Sequence, residues 1–512
     1  MSSGTVVQRN IIANVIGGTW VVLLNILVIP FQIRILGAEA YGLIGFMVSL
    51  QILLTVLDLG LSKTLNREIA SDTTEERKFS RALVQTATAI YLGITILISV
   101  GLIFSADWLV SRWLRLETIS ISEAASAIRI LAVWVVFYWP ATLYNSILTG
   151  LQRLDVVNVV RVLTVTLVQG GGIVILLVHG GLQEFLIWIA VATCVSTVAL
   201  ILVCTRFSPW MSVVPRFSAE VVKRVWRFSL DINVITILAI IFTQLDRILI
   251  GRLLPLRMLG YYTLAYSLAR GISVIQEFIS SAMLPNLASI HARRSFEILH
   301  ANYSKYSQAL VYITTLPALL LIFYGPEVLG IWATPEAMEV AGPTLQLLAA
   351  GFLLNAAMSA PYTVSVAVGY TRTLLIVNLV AVIPYVVVLY YLILNAGILG
   401  AGVSWVLLGS YYFAAFLPLT ERRIFNRTPF SWIKNNFAPF LLIGMVLFLI
   451  GRALLPISGL DPIISMIIGG GLIMLVYVLL GYRVLDPSLQ GVIRSLPGLV
   501  RAVVLSPRKR SA

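Results

Sequence analysis

Charge is scarce in this chain: Asp, Glu, Lys and Arg make up 11% of its 512 residues, where a soluble domain carries about a quarter. That deficit excludes a soluble globular protein, and 59% hydrophobic residues with a mean hydropathy of +0.95 point instead to an integral membrane protein. Cysteine is rarer still. Cys194 and Cys204 are the only two, and both fall in one apolar run, so they read as small core residues rather than a disulfide. The three histidines, His179, His291 and His300, lie in separate loops, so no metal cluster or nucleophilic triad can be assembled from them by spacing. No connection is long enough to hold a soluble domain. Gly170–Gly172 and Gly469–Gly471 have no preceding strand and no Lys-Ser/Thr nearby, which favours close helix packing over a phosphate cradle.

What the chain does have is apolar runs of roughly 20 residues, each able to cross about 30 Å of hydrocarbon. Fourteen spans are expected: 11–33, 41–62, 82–105, 126–149, 158–178, 184–205, 229–250, 261–285, 307–325, 341–366, 373–394, 398–419, 437–455 and 463–482. An even number puts both termini on one side. Of the 36 Lys and Arg residues, 26 fall on that side, 6 on the other, and 4 lie within or at the edge of spans. Basic residues accumulate in cytoplasmic loops, so both termini are expected inside a bacterial or archaeal cytoplasmic membrane. The net charge of +14 is this bias, and nucleic acid is not needed to explain it. The first run lacks a small-residue cleavage site, so a retained span is expected rather than a signal peptide. Segment 206–227 interleaves Trp210, Phe217 and Trp226 with Arg216, Lys223, Arg224 and Arg227, and with the tail SPRKRSA it reads as a basic segment lying on anionic headgroups.

An internal repeat organises these spans. Adding 218 to residue numbers pairs Arg34 with Arg252, Gly42 with Gly260, Ser49 with Ser267 and Ser62 with Ser280, among nine identities over 38 positions. A six-helix unit returns the chain to its starting side, so the halves are parallel repeats, an arrangement that suits alternating access. The expected organisation is an N-terminal six-helix lobe over 1–205, a cytoplasmic amphipathic linker over 206–227, a C-terminal six-helix lobe over 228–430, and two extra helices with a basic tail over 431–512.

Charges at membrane depth are costly and usually face an interior or a cavity. On the second span, a short turn around Gly37 and Gly42 leads into a polar stripe of Thr55, Asp58, Ser62 and Asn66 within about 80° of one helix face, with Lys63 on its flank. Helix 7 carries Gln244, Asp246 and Arg247, helix 8 has Arg270 and Glu277 seven residues apart, and Arg129 opens helix 4 with Tyr144 and Asn145 further along. The functional reading is a water-filled cavity whose cations bind an anionic ligand group, Arg being suited to bidentate phosphate recognition. The competing structural reading has Asp58 with Lys63, and Asp246 with Arg247 or Arg270, tying helices together. Pro30, Pro140, Pro317, Pro361 and Pro384 fall within spans and suit kinks.

The runs RNIIANVIGG, LGAEAYGLIGF and LDLGLSKTLNREIA resemble the polysaccharide-export branch of the multidrug/oligosaccharidyl-lipid/polysaccharide (MOP) superfamily, the flippases for O-antigen and exopolysaccharide repeat units. That resemblance implies an all-α, V-shaped, MATE-like transporter. It would move a polyprenyl-diphosphate-linked oligosaccharide to the outer leaflet, with membrane lipids around it and polysaccharide polymerase or assembly proteins as partners. It implies no enzyme activity, no cofactor, a monomer, and a sodium or proton gradient as the driving force. The cavity residues it points to are Arg34, Asp58, Lys63, Asn66, Arg129, Asn145, Arg247 and Arg270, with Asp58, Asp246 and Glu277 for coupling. Two alternatives stand beside it: a multidrug cation antiporter of the same superfamily, whose cavity should be net acidic, and a membrane glycan polymerase, ligase or glycosyltransferase, which should carry a large extramembrane loop or an acidic cluster.

Overall fold

A computed structural model describes residues 3–58, 60–70, 77–208, 214–454, 462–491 and 494, with side chains described for all of these except 3–16, 77, 224–236 and 462–468. The tail SPRKRSA and part of segment 206–227 therefore lie outside the described residues. Among those described, the regular structure is helical throughout, and the chain divides into two compact units. Unit 1 is Met1–Leu264 with Trp332–Thr334, and unit 2 is Ala265–Ile331 with Pro335–Ala512.

Unit 1 begins with α1 (Ser3–Leu54), which bends at Gly37. Its φ of +83° is open only to glycine without strain, so one 52-residue element holds the first two expected spans. The second span does not continue as a smooth helix. It tightens into a 3₁₀ turn at Thr55–Asp58 and restarts as α2 (Leu61–Ala70), with Gly60 at φ +73° between them. The Thr55–Asp58–Ser62–Asn66 stripe is thus not one continuous helix face; the break offsets its two halves. There follow α3 (Arg77–Trp113), α4 (Ile121–Gly150), α5 (Leu154–Val165), α6 (Gly171–Val178), α7 (Leu182–Phe207) and α8 (Ala219–Leu253). Ser218 caps α8 by accepting from the Val221 N–H at 3.5 Å, which starts this helix ten residues before the apolar run that announced it. A π-turn at Thr166–Gly170 joins α5 to α6.

The first turns of α9 (Leu256–Ala292) close unit 1. Gly42 sits in the second half of α1 and not in a turn, and the reason is the crossing with α9. A Cβ at Gly42 would overlap the Leu256 carbonyl and lie 3.0 Å from the Gly260 nitrogen, and one at Gly260 would overlap the Ala38 carbonyl. The two repeat-related glycines pack backbone against backbone. The repeat-related arginines are matched as well. Arg34 donates to the Ala333 carbonyl at 2.7 Å and to Trp332, at the C-terminal end of α10 (Phe296–Trp332). Arg252 donates to the Arg112 carbonyl at 2.7 Å, at the C-terminal end of α3. Each cation satisfies carbonyls that a helix end leaves unbonded, at the negative pole of the helix dipole. The α3–α4 loop is pinned by Glu39, whose carboxylate accepts from the backbone N–H groups of Glu117, Thr118 and Ile119.

Unit 2 contains the rest of α9 and α10, then α11 (Pro335–Ala367), α12 (Thr371–Tyr411, bent at Gly397), α13 (Leu417–Phe425), α14 (Pro429–Trp432), α15 (Ala438–Leu454) and α16 (Pro462–Val484). One of its core clusters joins Met283, Leu287, Tyr303, Leu310, Trp432 and Phe440. Nine stretches among the described residues are long and apolar enough to cross a membrane. Two of them, Gly17–Asp58 and Thr371–Phe425, have 42 and 55 residues and suffice for two crossings each at 1.5 Å per residue. Each of the fourteen expected spans overlies a helix, in an all-α membrane fold.

Candidate functional site

The π-turn in the fifth span has a consequence inside unit 1. Widening the helix by one residue at 166–170 turns Gln169 toward α1, where its side-chain amide donates to Asn25 Oδ1 at 2.8 Å. The Leu167 carbonyl in the same turn also accepts from Trp188 Nε1 at 3.2 Å. π-turns recur where a helix presents groups to a site. Beside this one lies a cavity of about 660 Å³ within unit 1, walled by α1, α4, α5 with its π-turn, and α7. That volume is in the range of small-molecule sites.

Its polar groups converge from all four walls. Asn25, Gln32 and Gln51 come from α1, Trp134, Tyr138 and Asn145 from α4, Arg161 and Gln169 from the fifth span, and Thr193, Ser196 and Thr197 from α7. Trp134 and Tyr138 stack at 4.5 Å between ring centroids. Trp134 Nε1 donates to Thr193 Oγ1 at 3.0 Å, and Thr197 Oγ1 donates to the Phe137 carbonyl at 3.1 Å. Amides, hydroxyls and aromatic faces are set into a wall that is otherwise largely aliphatic, with Val21, Met47, Leu131, Val160, Leu186 and Leu200 among its residues, one cation and no acid. Such a set can hydrogen-bond and stack on a polyhydroxylated ligand, and offers nothing to neutralise a cation.

Of the residues marked in the sequence, Asn145 lines this cavity; its amide donates to the Ala141 carbonyl at 3.0 Å, leaving the oxygen for other partners. Asp58 lies below the break in the second span, where it accepts from the Ser62 hydroxyl at 2.7 Å, the Ser62 N–H at 3.3 Å and the Tyr91 hydroxyl. It fastens the start of α2 to α3. Lys63 is exposed and Asn66 half-buried on α2. Arg129 is paired with Asp107 of α3 at 2.5 Å, both exposed. Asp246 is fully buried, accepting from the Arg247 N–H at 2.7 Å and from the Tyr262 hydroxyl, and Arg247 donates to Gln244 at 3.1 Å. Arg270 and Glu277 are exposed on the part of α9 in unit 2, and Arg34 caps α10. Among the described residues of unit 1, then, Arg34, Asp58, Arg129 and Arg247 each serve a different local contact.

Gln32, Gln51, Trp134, Tyr138, Arg161 and Gln169 were missed. Their signal was present: Asn25 and Gln32 are seven residues apart on an otherwise apolar helix, hence on one face. Neutral polar residues in a span are simply less conspicuous than charges.

A family model for polysaccharide biosynthesis proteins matches residues 7–291, more than half of the chain. The chain belongs to that family. Among curated proteins it is similar to a Shigella flexneri protein named "Putative O-antigen transporter", 22% identical over 398 residues that cover 78% of this chain and 93% of that protein. Among solved structures it is similar to the lipid II flippase MurJ in an inward closed conformation, with TM-score 0.69, 14% identity, and coverage of 92% of this chain and 99% of that one. It is also similar to an inward-facing MATE multidrug transporter of the MOP superfamily, with TM-score 0.65, 16% identity, and coverage of 81% and 96%. At these identities the two structures establish the fold, which is that of MOP-superfamily transporters. As a member of the polysaccharide biosynthesis family with this fold, the chain is a multi-pass membrane protein, and the relatives it resembles are named as transporters and flippases.

Proposed function

We propose that this protein moves a polyprenyl-diphosphate-linked oligosaccharide, a polysaccharide repeat unit, from the inner to the outer leaflet of the cytoplasmic membrane. The reading rests on one observation above the others: a member of a polysaccharide biosynthesis family carries, within its membrane helices, a large cavity whose aliphatic walls hold amides, hydroxyls and a stacked aromatic pair, with no acid among the lining residues. A sugar chain cannot cross hydrocarbon unaided. Its hydroxyls would exchange water for Asn25, Gln32, Gln51, Asn145 and Gln169 while the prenyl tail stays in the bilayer. Alternating access between the 1–205 and 228–430 lobes, joined by 206–227, would carry the head group across, driven by a sodium or proton gradient. Asp58 and Asp246, each held by a tyrosine hydroxyl, and the exposed Glu277 are the candidates for coupling. Both termini would be cytoplasmic, and polymerase or assembly proteins would receive the product from a monomer.

A cation antiporter fits less well, because a cationic drug would meet no countercharge in this cavity. Reconstitution with lipid-linked oligosaccharide and a leaflet-specific reagent decides the matter. Appearance of the glycan lipid in the opposite leaflet is expected; efflux of cationic dyes with no movement of glycan lipid would overturn the proposal.

A further inference from the structure

We propose that Glu421 is a proton-binding site of unit 2, exchanging its proton with the cytoplasm as part of the transport cycle. Glu421 lies on α13, just beyond the expected span 398–419, and is 1% exposed. Arg422, Arg423, Arg427 and Lys434 follow it and make this the cytoplasmic end in the proposed topology. Its surroundings are apolar. Leu417, Ile424 and Phe425, on its own face of the helix, join Trp432 in one core cluster. The Tyr303 hydroxyl donates to Glu421 Oε1 at 2.8 Å. Arg427, exposed, acts on the carboxyl electrostatically without an ion pair. A buried carboxylate with no paired cation is costly, and a proton removes that cost.

The described groups around it are few. From α10 come Tyr303, fully buried, and His300, half-buried, whose ring packs edge-on against Tyr303 at 6.2 Å and Phe425 at 5.0 Å. The helix α11 brings Ser365, which meets Thr420 at 3.3 Å, and α14 brings Trp432. Arg422, Arg423 and Lys434 are exposed, Arg423 donates to Thr373 at 3.5 Å, and Lys305 pairs with Asp486 at 4.0 Å. His300 is thus the neighbour suited to relay a proton. The other helix acids differ. Asp58 accepts three hydrogen bonds, Asp246 accepts an N–H and the Tyr262 hydroxyl beside Arg247, and Glu277 is exposed.

Position gives the proton a lever. The nine-residue α13 sits between π-turns at Tyr412–Phe416 and Ile433–Phe437, a kind of turn that recurs at functional sites. Within about one turn, α10 is tied to both sides of this segment: Tyr303 to Glu421, Ser304 to Asn436 at 2.7 Å, and Ser307 to Trp432 at 3.2 Å. A carboxylate holds a hydroxyl roughly twice as strongly as a neutral acceptor does. Taking up the proton therefore slackens the α10–α13 tie, and releasing it tightens the tie again.

The inference rests on the gradient-driven glycan reading, and two readouts separate them. The first is infrared difference spectroscopy of the full chain in phosphatidylcholine nanodiscs, titrated in pH, for wild type, Glu421→Gln and Tyr303→Phe. Glutamine keeps an acceptor for Tyr303, so the tie and the melting temperature should hold. Wild type should show a protonated-carboxyl C=O band that shifts in heavy water and is lost at high pH. Glu421→Gln should lack this band and Tyr303→Phe should move it. The second readout is proton movement during translocation of lipid-linked oligosaccharide in proteoliposomes, expected in wild type and lost in Glu421→Gln. A band and a proton flux unchanged in Glu421→Gln overturn the inference, as does a band that Tyr303→Phe leaves in place, the arm that stands if Glu421→Gln fails to fold. Translocation by wild type without proton movement also overturns it and leaves the glycan reading standing. The band present with no glycan movement by wild type keeps the proton site and removes the glycan reading.

Discussion

The two repeats treat equivalent positions in opposite ways. Near the Arg34 and Arg252 ends they are matched: Gly42 meets Gly260 at a backbone crossing, and Arg34 and Arg252 each close the end of a helix, α10 and α3 respectively. Inside they diverge. The cavity residues Gln32 and Gln51 stand, at the 218-residue offset, where the second repeat has Ile250 and Ala269. In unit 2, Phe352 stacks on Trp405 at 4.7 Å, and Tyr266 packs edge-on against both rings at 5.3 and 5.8 Å. Where backbones touch or helix ends need cations, geometry admits few residues and the repeats stayed alike. Where a volume is free to be wet or dry, the first repeat carries glutamines at positions where the second has Ile250 and Ala269.

The strongest way to break this comparison is to make the first repeat resemble the second. Gln32→Ile, Gln51→Ala and Gln169→Val together should lower glycan-lipid translocation about a hundredfold or more, since a site built to hydrogen-bond hydroxyls loses heavily without them. Protein level and melting temperature should hold, and unimpaired transport would remove this cavity from the path. The matched positions are tested by stability instead. Gly42→Val and Gly260→Val each force a side chain into a facing carbonyl and should destabilise by about 3 kcal/mol, read by denaturation in detergent; tolerance of one but not the other would end the equivalence.

Smaller effects sharpen the arginine pair. Arg34→Ala and Arg252→Ala should each lose about 1 kcal/mol as helix-end carbonyls go unbonded, with similar shifts in melting temperature. Smallest of all, Arg129→Ala removes an exposed ion pair and should change stability by less than about 0.5 kcal/mol and leave transport intact. A large loss of transport with stability unchanged would return Arg129 to the binding site.

Charge was the guide to the site in the sequence, and it led away from the cavity. Arg34, Arg129 and Asp246 stand out in a hydropathy reading because a charge in a span is costly, yet for the same reason each has a protein partner that consumes it. Asn145 was identified as a polar residue further along helix 4 from Arg129. Arg161 was counted among the basic residues of a cytoplasmic end, which its position in the chain supports; that it borders a cavity depends on α1 and α7 arriving beside it.

The sequence by itself determined that the protein is a helical membrane protein, where its spans lie, and that it contains a repeat, because each of these follows from local apolar length and a constant offset. Tertiary structure alone decided which polar residues share a space. Helix α1 must bend at Gly37 before Gln51 shares a cavity with Asn25, and the fifth span widens at 166–170 where Gln169 meets Asn25, a contact between residues 144 positions apart, beyond the reach of any periodicity along the chain.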